Sequence, residues 1–315
     1  MRATVGASAA VAAAAVLLTI GLAGGPLYVS SAASEAVQVG LSRTCATDAG
    51  LSLFVPFFVD PSIGRELDAR AALIDDVQPP IHTVLGQYPY GVEGGDDDLT
   101  DQVVLLARDG QLGELGRAGL AVGAGEALAP ESTEASAGVT TGGVLVVDVL
   151  EPTAPPLRLV VAGRYPDVPY RPEPSYWCGL RGLFRPNDRG DLPPPVMIVA
   201  PETFSAFPDD EVGRLWELRP RSEGMTRHTA KQLVAEYASI VAWYDPQAQE
   251  AFRASLERGE ARFARLPAPA DPALVRIVTQ AETVADVVGR TMAPIRLAGS
   301  AAGAVLLTGA GVLVA

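Results

Sequence analysis

The chain of 315 residues is long enough for one large domain or two smaller ones, each with its own core. Its formal net charge is −13 and its pI is about 4.6, which argues against a nucleic-acid binder and against a polybasic grip on anionic lipid. A mean hydropathy of +0.21 is high for a soluble protein, and the excess sits at the two ends.

No charged residue occurs from Ala3 to Ser34. The densest part, Val5 to Val29, is long enough to cross a bilayer core of about 30 Å. Two readings compete: an uncleaved anchor, or a signal peptide with Arg2 as its basic region and a cleavage site near Ser31-Ala32-Ala33. The length favours the anchor, since a signal core is about 7–15 residues.

Next in the chain, Leu51-Ser52-Leu53-Phe54-Val55 reads as a short strand stopped by Pro56. Ile63, Leu67, Ala71 and Ile74 recur at helical spacing, which predicts a helix over 63–77. Val103 to Ala107 is a compact strand followed by the turn signal Asp109-Gly110. Residues 144–150 and 157–163 are apolar runs parted by prolines and are expected to pair as a hairpin. Pro193-Pro194-Pro195 leads into a further strand at Val196–Val199. Asp209-Asp210-Glu211 is expected to open a helix.

From Thr229 the period becomes helical. Leu233, Val234, Tyr237, Ile240, Val241 and Tyr244 form one apolar stripe that is expected to end at Pro246, with a second helix through Phe252, Leu256, Phe263 and Leu266. Asp271 and Pro272 suit the N-cap and first turn of a last helix running to Val288 as a stalk. Leu297 to Ala315 is uncharged, about 28 Å if helical, and reads as a second span rather than a buried helix because no polar face interrupts it. A chain that stops on its last hydrophobic residue reads as a truncated product.

The placement expected is therefore cell membrane, two spans, with an acidic extracytoplasmic middle. Cys45 and Cys178 are the only cysteines. An isolated pair in an exported domain reads as one disulfide, the alternative being two buried thiols.

This order of parts resembles the opening of FtsX-like (MacB-type) ABC transporter permeases. Gly25-Pro26-Leu27-Tyr28-Val29-Ser30-Ser31-Ala32-Ala33 is similar to the exit of the first span in actinobacterial members. Gly125-Glu126-Ala127-Leu128-Ala129, then Gly138-Val139 and Gly142-Gly143-Val144-Leu145-Val146, resemble a strand-forming passage of the family. Leu159 to Tyr165 resembles the Val-x-Gly-x-Tyr strand that follows it. Tyr176-Trp177-Cys178, Pro193-Pro194-Pro195-Val196 and Met292-Ala293-Pro294-Ile295-Arg296 are similar to other passages of that branch. The family's basic cytoplasmic lead-in is reduced to Met1-Arg2, and its remaining spans are missing.

The resemblance implies the outer domain of a permease working with a separate ATP-binding cassette ATPase, in export or in transmitting motion across the envelope. The expected class is α+β: an extracytoplasmic β-rich domain with inserted helices between two transmembrane helices. Its parts would be residues 1–34 as first span, 35–270 as a MacB-like periplasmic core of one or two subdomains, 271–293 as stalk and 294–315 as second span. The alternative is a bitopic or secreted envelope interaction protein without an ATPase.

Chemistry-bearing residues are sparse. The single lysine, Lys231, is followed by Gln232, so no phosphate-binding P-loop exists. His82 and His228 are the only histidines, and neither G-x-S-x-G nor H-E-x-x-H occurs. A hydrolase would need one of them to face a carboxylate and a nucleophile, and no enzyme or cofactor is expected. Asp96, Asp98 and Asp101, in an acidic cluster with Glu93 and Asp97, are a weak calcium candidate without EF-hand spacing and read better as a solvated loop. Tyr165, Tyr170, Tyr176 and Trp177 interleave with arginines including Arg171 and Arg181. Such clusters are enriched at binding surfaces, so this is the candidate contact for an envelope protein or exported substrate. The same residues would also serve to clamp a proline-rich loop beside Cys178.

Overall fold

Side chains that alternate with a period of two can line the inside of a closed sheet, and the middle of this chain does so. The computed structural model describes residues 2–45, 47–55, 61–93, 101–115, 121–133, 138–148, 155–167, 176–184, 193–207, 212–258 and 273–291. The elements are α1 (Arg2–Arg43), β1 (Leu51–Val55), α2 (Pro61–Ala71), β2 (Ile81–Val92), β3 (Asp101–Arg108), α3 (Gln111–Glu114), β4 (Glu126–Pro130), β5 (Val144–Val147), β6 (Leu157–Tyr165), β7 (Val196–Val199), β8 (Gly213–Leu218) and α4 (Arg227–Arg258). A last helix, α5, covers 273–291. The protein is mixed α+β. It divides into two units, one of residues 42–221 and 233–274, the other of 1–41, 222–232 and 275–315.

In the first unit, β2, β3, β7, β4, β6 and β5 pair in that cyclic order, and β5 returns to β2, so six strands close a barrel. The pairs β3–β7 and β4–β6 are parallel and the other four antiparallel. Alternate residues fill the inside: Tyr88 and Tyr90, Val103 and Leu105, Ala127 and Ala129, Leu145 and Val147, Leu159 and Val161, Met197 and Val199. Phe204, Phe207 and Val212 add to the same cluster, with the Phe207 ring stacked 4.1 Å from Tyr88. The opposite faces of β3, β4 and β7 are covered too. Val104, Leu106, Leu128, Val196 and Ile198 lie under Trp177 and Leu180, carried by a 3-10 turn at Cys178–Leu183.

β2 is long because it serves two partners in succession. Ile81–Leu85 pair with β8, which pairs with β1, while Tyr90–Val92 pair with β5. Pro89 sits at the handover. Its carbonyl accepts from Asp148 N–H at 2.9 Å, so the N–H it lacks points to the same, partner-switching side. Gly86 is required for a separate reason: a Cβ there would collide with the Tyr88 ring.

Predicted strands at 51–55, 103–107 and 196–199 and the hairpin of 144–150 with 157–163 are present, the hairpin's first strand being described as far as Val147. The predicted helix over 63–77 stops at Ala71, because Val77 is held instead by a bridge to Pro220. Residues 208–211, with the expected acidic helix start, lie outside the described residues, and β8 follows at Gly213. The expected break at Pro246 is corrected, since α4 runs through it to Arg258. Packing on both sides of one turn outweighs one missing bond: Tyr237 Oη donates to Leu218 O at 3.1 Å, Tyr244 Oη to Phe54 O at 2.9 Å, and Gln247 Nε2 to Trp243 O at 2.9 Å.

In the second unit α1 and α5 run antiparallel. A Cβ on Gly40 would come within 2.9 Å of Ile277 Cγ2, while Pro26, Val29 and Ser30 share a cavity wall with Gly289. Ala33, Val37, Ala281 and Ala285 are buried small or slender residues that permit this approach. Gln38 Nε2 donates to Met225 O at 3.0 Å, and Lys231 pairs with Glu282. Among the described residues no helix is long and apolar enough to cross a membrane. The second expected span and Asp271-Pro272 lie outside those residues, as do most side chains of α1 before Gly24.

Candidate functional site

Where β2, β3 and β8 run side by side, two charged clusters form on adjacent residues of β2. Register puts His82 opposite Trp216 and Thr83 opposite Arg108. The pleat puts the two on opposite faces of β2, His82 exposed and Thr83 buried.

His82 is held on both ring nitrogens. Nδ1 lies 2.7 Å from Asp109 Oδ2 and Nε2 lies 3.1 Å from Asp68 Oδ1. Asp109 follows β3 and also accepts the His82 backbone N–H at 2.9 Å, while Asp68 comes from α2 and accepts Trp216 Nε1–H at 2.9 Å. Partial burial works against a charged ring, but the hydrogen bonds to Asp109 and Asp68, with their charges, outweigh it and raise His82 above its ordinary 6.5. With a carboxylate on each nitrogen, the arrangement is a proton-holding clamp joining α2 to the sheet.

One residue further in, Arg108 is fully buried and pairs with Glu217, itself 1% exposed. Arg108 Nη1 also donates to Thr83 Oγ1 at 2.6 Å, its guanidinium lies over the Tyr176 ring, and Nη2 donates to Tyr176 O at 3.3 Å. Gln111 braces the same corner, its Oε1 accepting Arg108 N–H at 2.8 Å and its Nε2 donating to Val199 O at 3.1 Å. Tyr176 Oη donates to Asp109 O, which links the buried pair to the clamp. Burial raises the Tyr176 phenol far above its ordinary range, so it stays a donor. Burial, with the charge of Arg108, lowers nearby Arg219.

The disulfide completes the corner. Cys45 and Cys178 are bonded, with Cα atoms 6.0 Å apart, as the pairing reading expects. Thr47 Oγ1 lies 2.9 Å from Cys45 Sγ, and a Cβ on Gly179 would collide with Thr47 and come within 3.1 Å of Glu217 Oε1. Glycine after Cys178 therefore lets the crosslinked turn lie on the ion pair. Arg181 Nη2 reaches Asp48 Oδ2 at 2.6 Å across the two cysteine-bearing segments.

Of the aromatic–arginine residues expected at a contact surface, Tyr165 is buried, donating its Oη to Val196 O at 2.6 Å, and Trp177 is buried in the layer outside β3 and β7. Tyr176 is the lid over Arg108, and Arg181 is partly exposed in its bond to Asp48. Tyr170 and Arg171 lie outside the described residues. Tyr165, Tyr176 and Trp177 are thus all engaged in contacts within the chain. Asp96 and Asp98 fall outside the described residues, and Asp101 opens β3 opposite Tyr90. No group of three or more potential metal ligands occurs among the described residues. Sequence reasoning missed Arg108, Glu217, Asp68 and Asp109 as a group; the one available signal was the alternation through Trp216-Glu217-Leu218, which reads as a solvent-facing acid.

No family model matches the chain, and no curated protein matches its sequence.

Proposed function

We propose that the chain is the extracytoplasmic and first membrane-anchoring part of an FtsX-like ABC permease, in which a disulfide-closed barrel is carried between two membrane helices and couples to a separate ATPase. The observation that carries this reading is the antiparallel pairing of α1 with α5. Gly40 meets Ile277, and Pro26 and Val29 share a cavity wall with Gly289. The C-terminal end of α5 thus lies beside the middle of α1, next to the uncharged stretch Ala3–Ser34, which supports a chain that leaves and re-enters one membrane face. The crosslink and the buried Arg108–Glu217 pair tie the Cys178 turn to the sheet, which supports a role in passing on motion.

The test is expression of the full chain in bacterial cells with alkaline extraction of membranes, protease treatment of intact cells and affinity purification from detergent. Membrane retention, a cleavable middle and co-purification of an ATP-binding cassette ATPase are expected. Retention with an exposed middle but no ATPase would replace this reading with the bitopic interaction protein. A product released to the medium would overturn the two-span arrangement.

A further inference from the structure

The second unit contains a cavity of about 410 Å³ lined by Pro26, Val29 and Ser30 of α1, Arg227 and His228 of α4, and Gly289 of α5. Its charged walls are both basic or protonatable, while the rest is apolar or small. Two opening amides of α4 are engaged within the unit: Thr226 Oγ1 accepts Thr229 N–H at 3.1 Å and Ser34 Oγ accepts Arg227 N–H at 3.3 Å. The side chains that line the cavity from α4 are Arg227 and His228. At the same level the helices expose large apolar side chains, Leu27 at 71%, Tyr28 at 57% and Val287 at 51%. An exposed tyrosine and leucine beside a cationic recess, at the margin of an uncharged run, is the pattern of a protein surface set at the lipid–water boundary.

We infer that this cavity is a seat for the phosphate of a membrane phospholipid, with Arg227 as its main donor, His228 beside it, and the acyl chains lying along Leu27, Tyr28 and Val287. It is a single-headgroup site and needs no polybasic patch, which the acidic chain lacks. A guanidinium suits it because its planar fork bonds two phosphate oxygens at once. The inference deepens the membrane reading above and rests on it for the lipid's supply.

Its test does not require insertion. Purified full-length protein in neutral detergent is titrated with short-chain phosphatidylglycerol, with an uncharged short-chain galactolipid and with inorganic phosphate, binding being read by native mass spectrometry. Retention of phosphatidylglycerol over the galactolipid is expected, with a drop of about fivefold in Arg227→Gln, the effect of one cation at a phosphate surface. His228→Gln is expected to lower it further, and Arg158→Gln, on the barrel, to leave it unchanged. Equal binding of both lipids, or a preference that survives both substitutions, would overturn the inference. Inorganic phosphate that competes at equal strength would overturn the lipid assignment in favour of a free anion. A protein that is secreted yet keeps the preference would sink the permease reading while sustaining this one; a membrane-retained protein without the preference would do the reverse.

Discussion

One residue of β2 separates two charged constellations that live under opposite conditions. At Thr83 the guanidinium of Arg108 and the carboxylate of Glu217 are shut away from water under the Cys178 turn. At His82 the ring and its two carboxylates are about half exposed. The same kind of contact, cation to carboxylate, thus has opposite energetic meaning. Removing one partner from a buried pair leaves a charge that no water can reach, whereas screening leaves an exposed pair little to lose.

The largest expected effect follows from the buried side. Glu217→Ala strands Arg108 and should lower unfolding free energy by about 3–5 kcal/mol, read from denaturant midpoints. Replacing both partners, as Arg108→Met with Glu217→Leu, should recover most of that loss. A double variant as unstable as the single one would mean that the corner depends on the ion pair itself and not on the avoidance of an orphaned charge.

Next in size is the crosslink that roofs this corner. Cys45→Ser with Cys178→Ser should cost about 2–5 kcal/mol through freedom returned to the unfolded chain. Because Gly179 holds Thr47 and Glu217 in close approach, reduction should also loosen the Arg108 pocket. Amide exchange at Thr83 and Arg108 is expected to speed up more than exchange inside β5 and β6. Uniform acceleration would separate the disulfide from the buried pair.

Tyr165→Phe should have a smaller effect, about 1–2 kcal/mol, because it removes the donor to the buried Val196 carbonyl and leaves the ring in place. A change of less than half that would mean another group takes over the carbonyl.

These corners explain what the sequence could disclose. The strands at 51–55, 103–107 and 196–199 and the hairpin after 144 are apolar runs bounded by turn residues, so local pattern was enough. β2 was hidden because Gly86, Pro89 and Gly91 read as breakers. Each of the first two is tolerated for a tertiary reason, the Tyr88 ring and the change of partner strand. With β2 unseen, barrel closure was unreadable, since closure consists of β2 meeting both β3 and β5. β8 suffered from its charges. Leu215 and Glu217 share a face that is covered by the Trp177–Leu180 turn, and no period in Arg-Leu-Trp-Glu-Leu announces a roof contributed from elsewhere in the chain. The cysteine pairing was legible because only one pairing exists. The site was not, because His82, Asp109 and Trp216 meet only through the sheet register and Asp68 reaches them only through the packing of α2 on the sheet.

The smallest expected effect lies at His82 and concerns its direction more than its size. The folded protein holds the His82 proton more tightly than the unfolded chain does, because Asp109 and Asp68 outweigh partial burial. The resulting stabilisation is complete below the ordinary histidine value of about 6.5 and drains away as pH rises through the raised folded value. With the ring half exposed, screening reduces it to a few tenths of a kcal/mol. His82→Gln should therefore flatten the stability profile on the alkaline side of about pH 6.5, with its deficit against the wild type largest below that value. Asp109→Asn should flatten it as well and should additionally release the His82 backbone N–H, which Asn Oδ1 can still accept only if it keeps the carboxylate's rotamer. A wild-type profile that rises with pH across this window would reverse the sign and show that burial, not the two carboxylates, governs the ring. The contrast with the buried Arg108–Glu217 pair would then rest on exposure alone, and the clamp would be no more than a surface contact between α2 and the sheet.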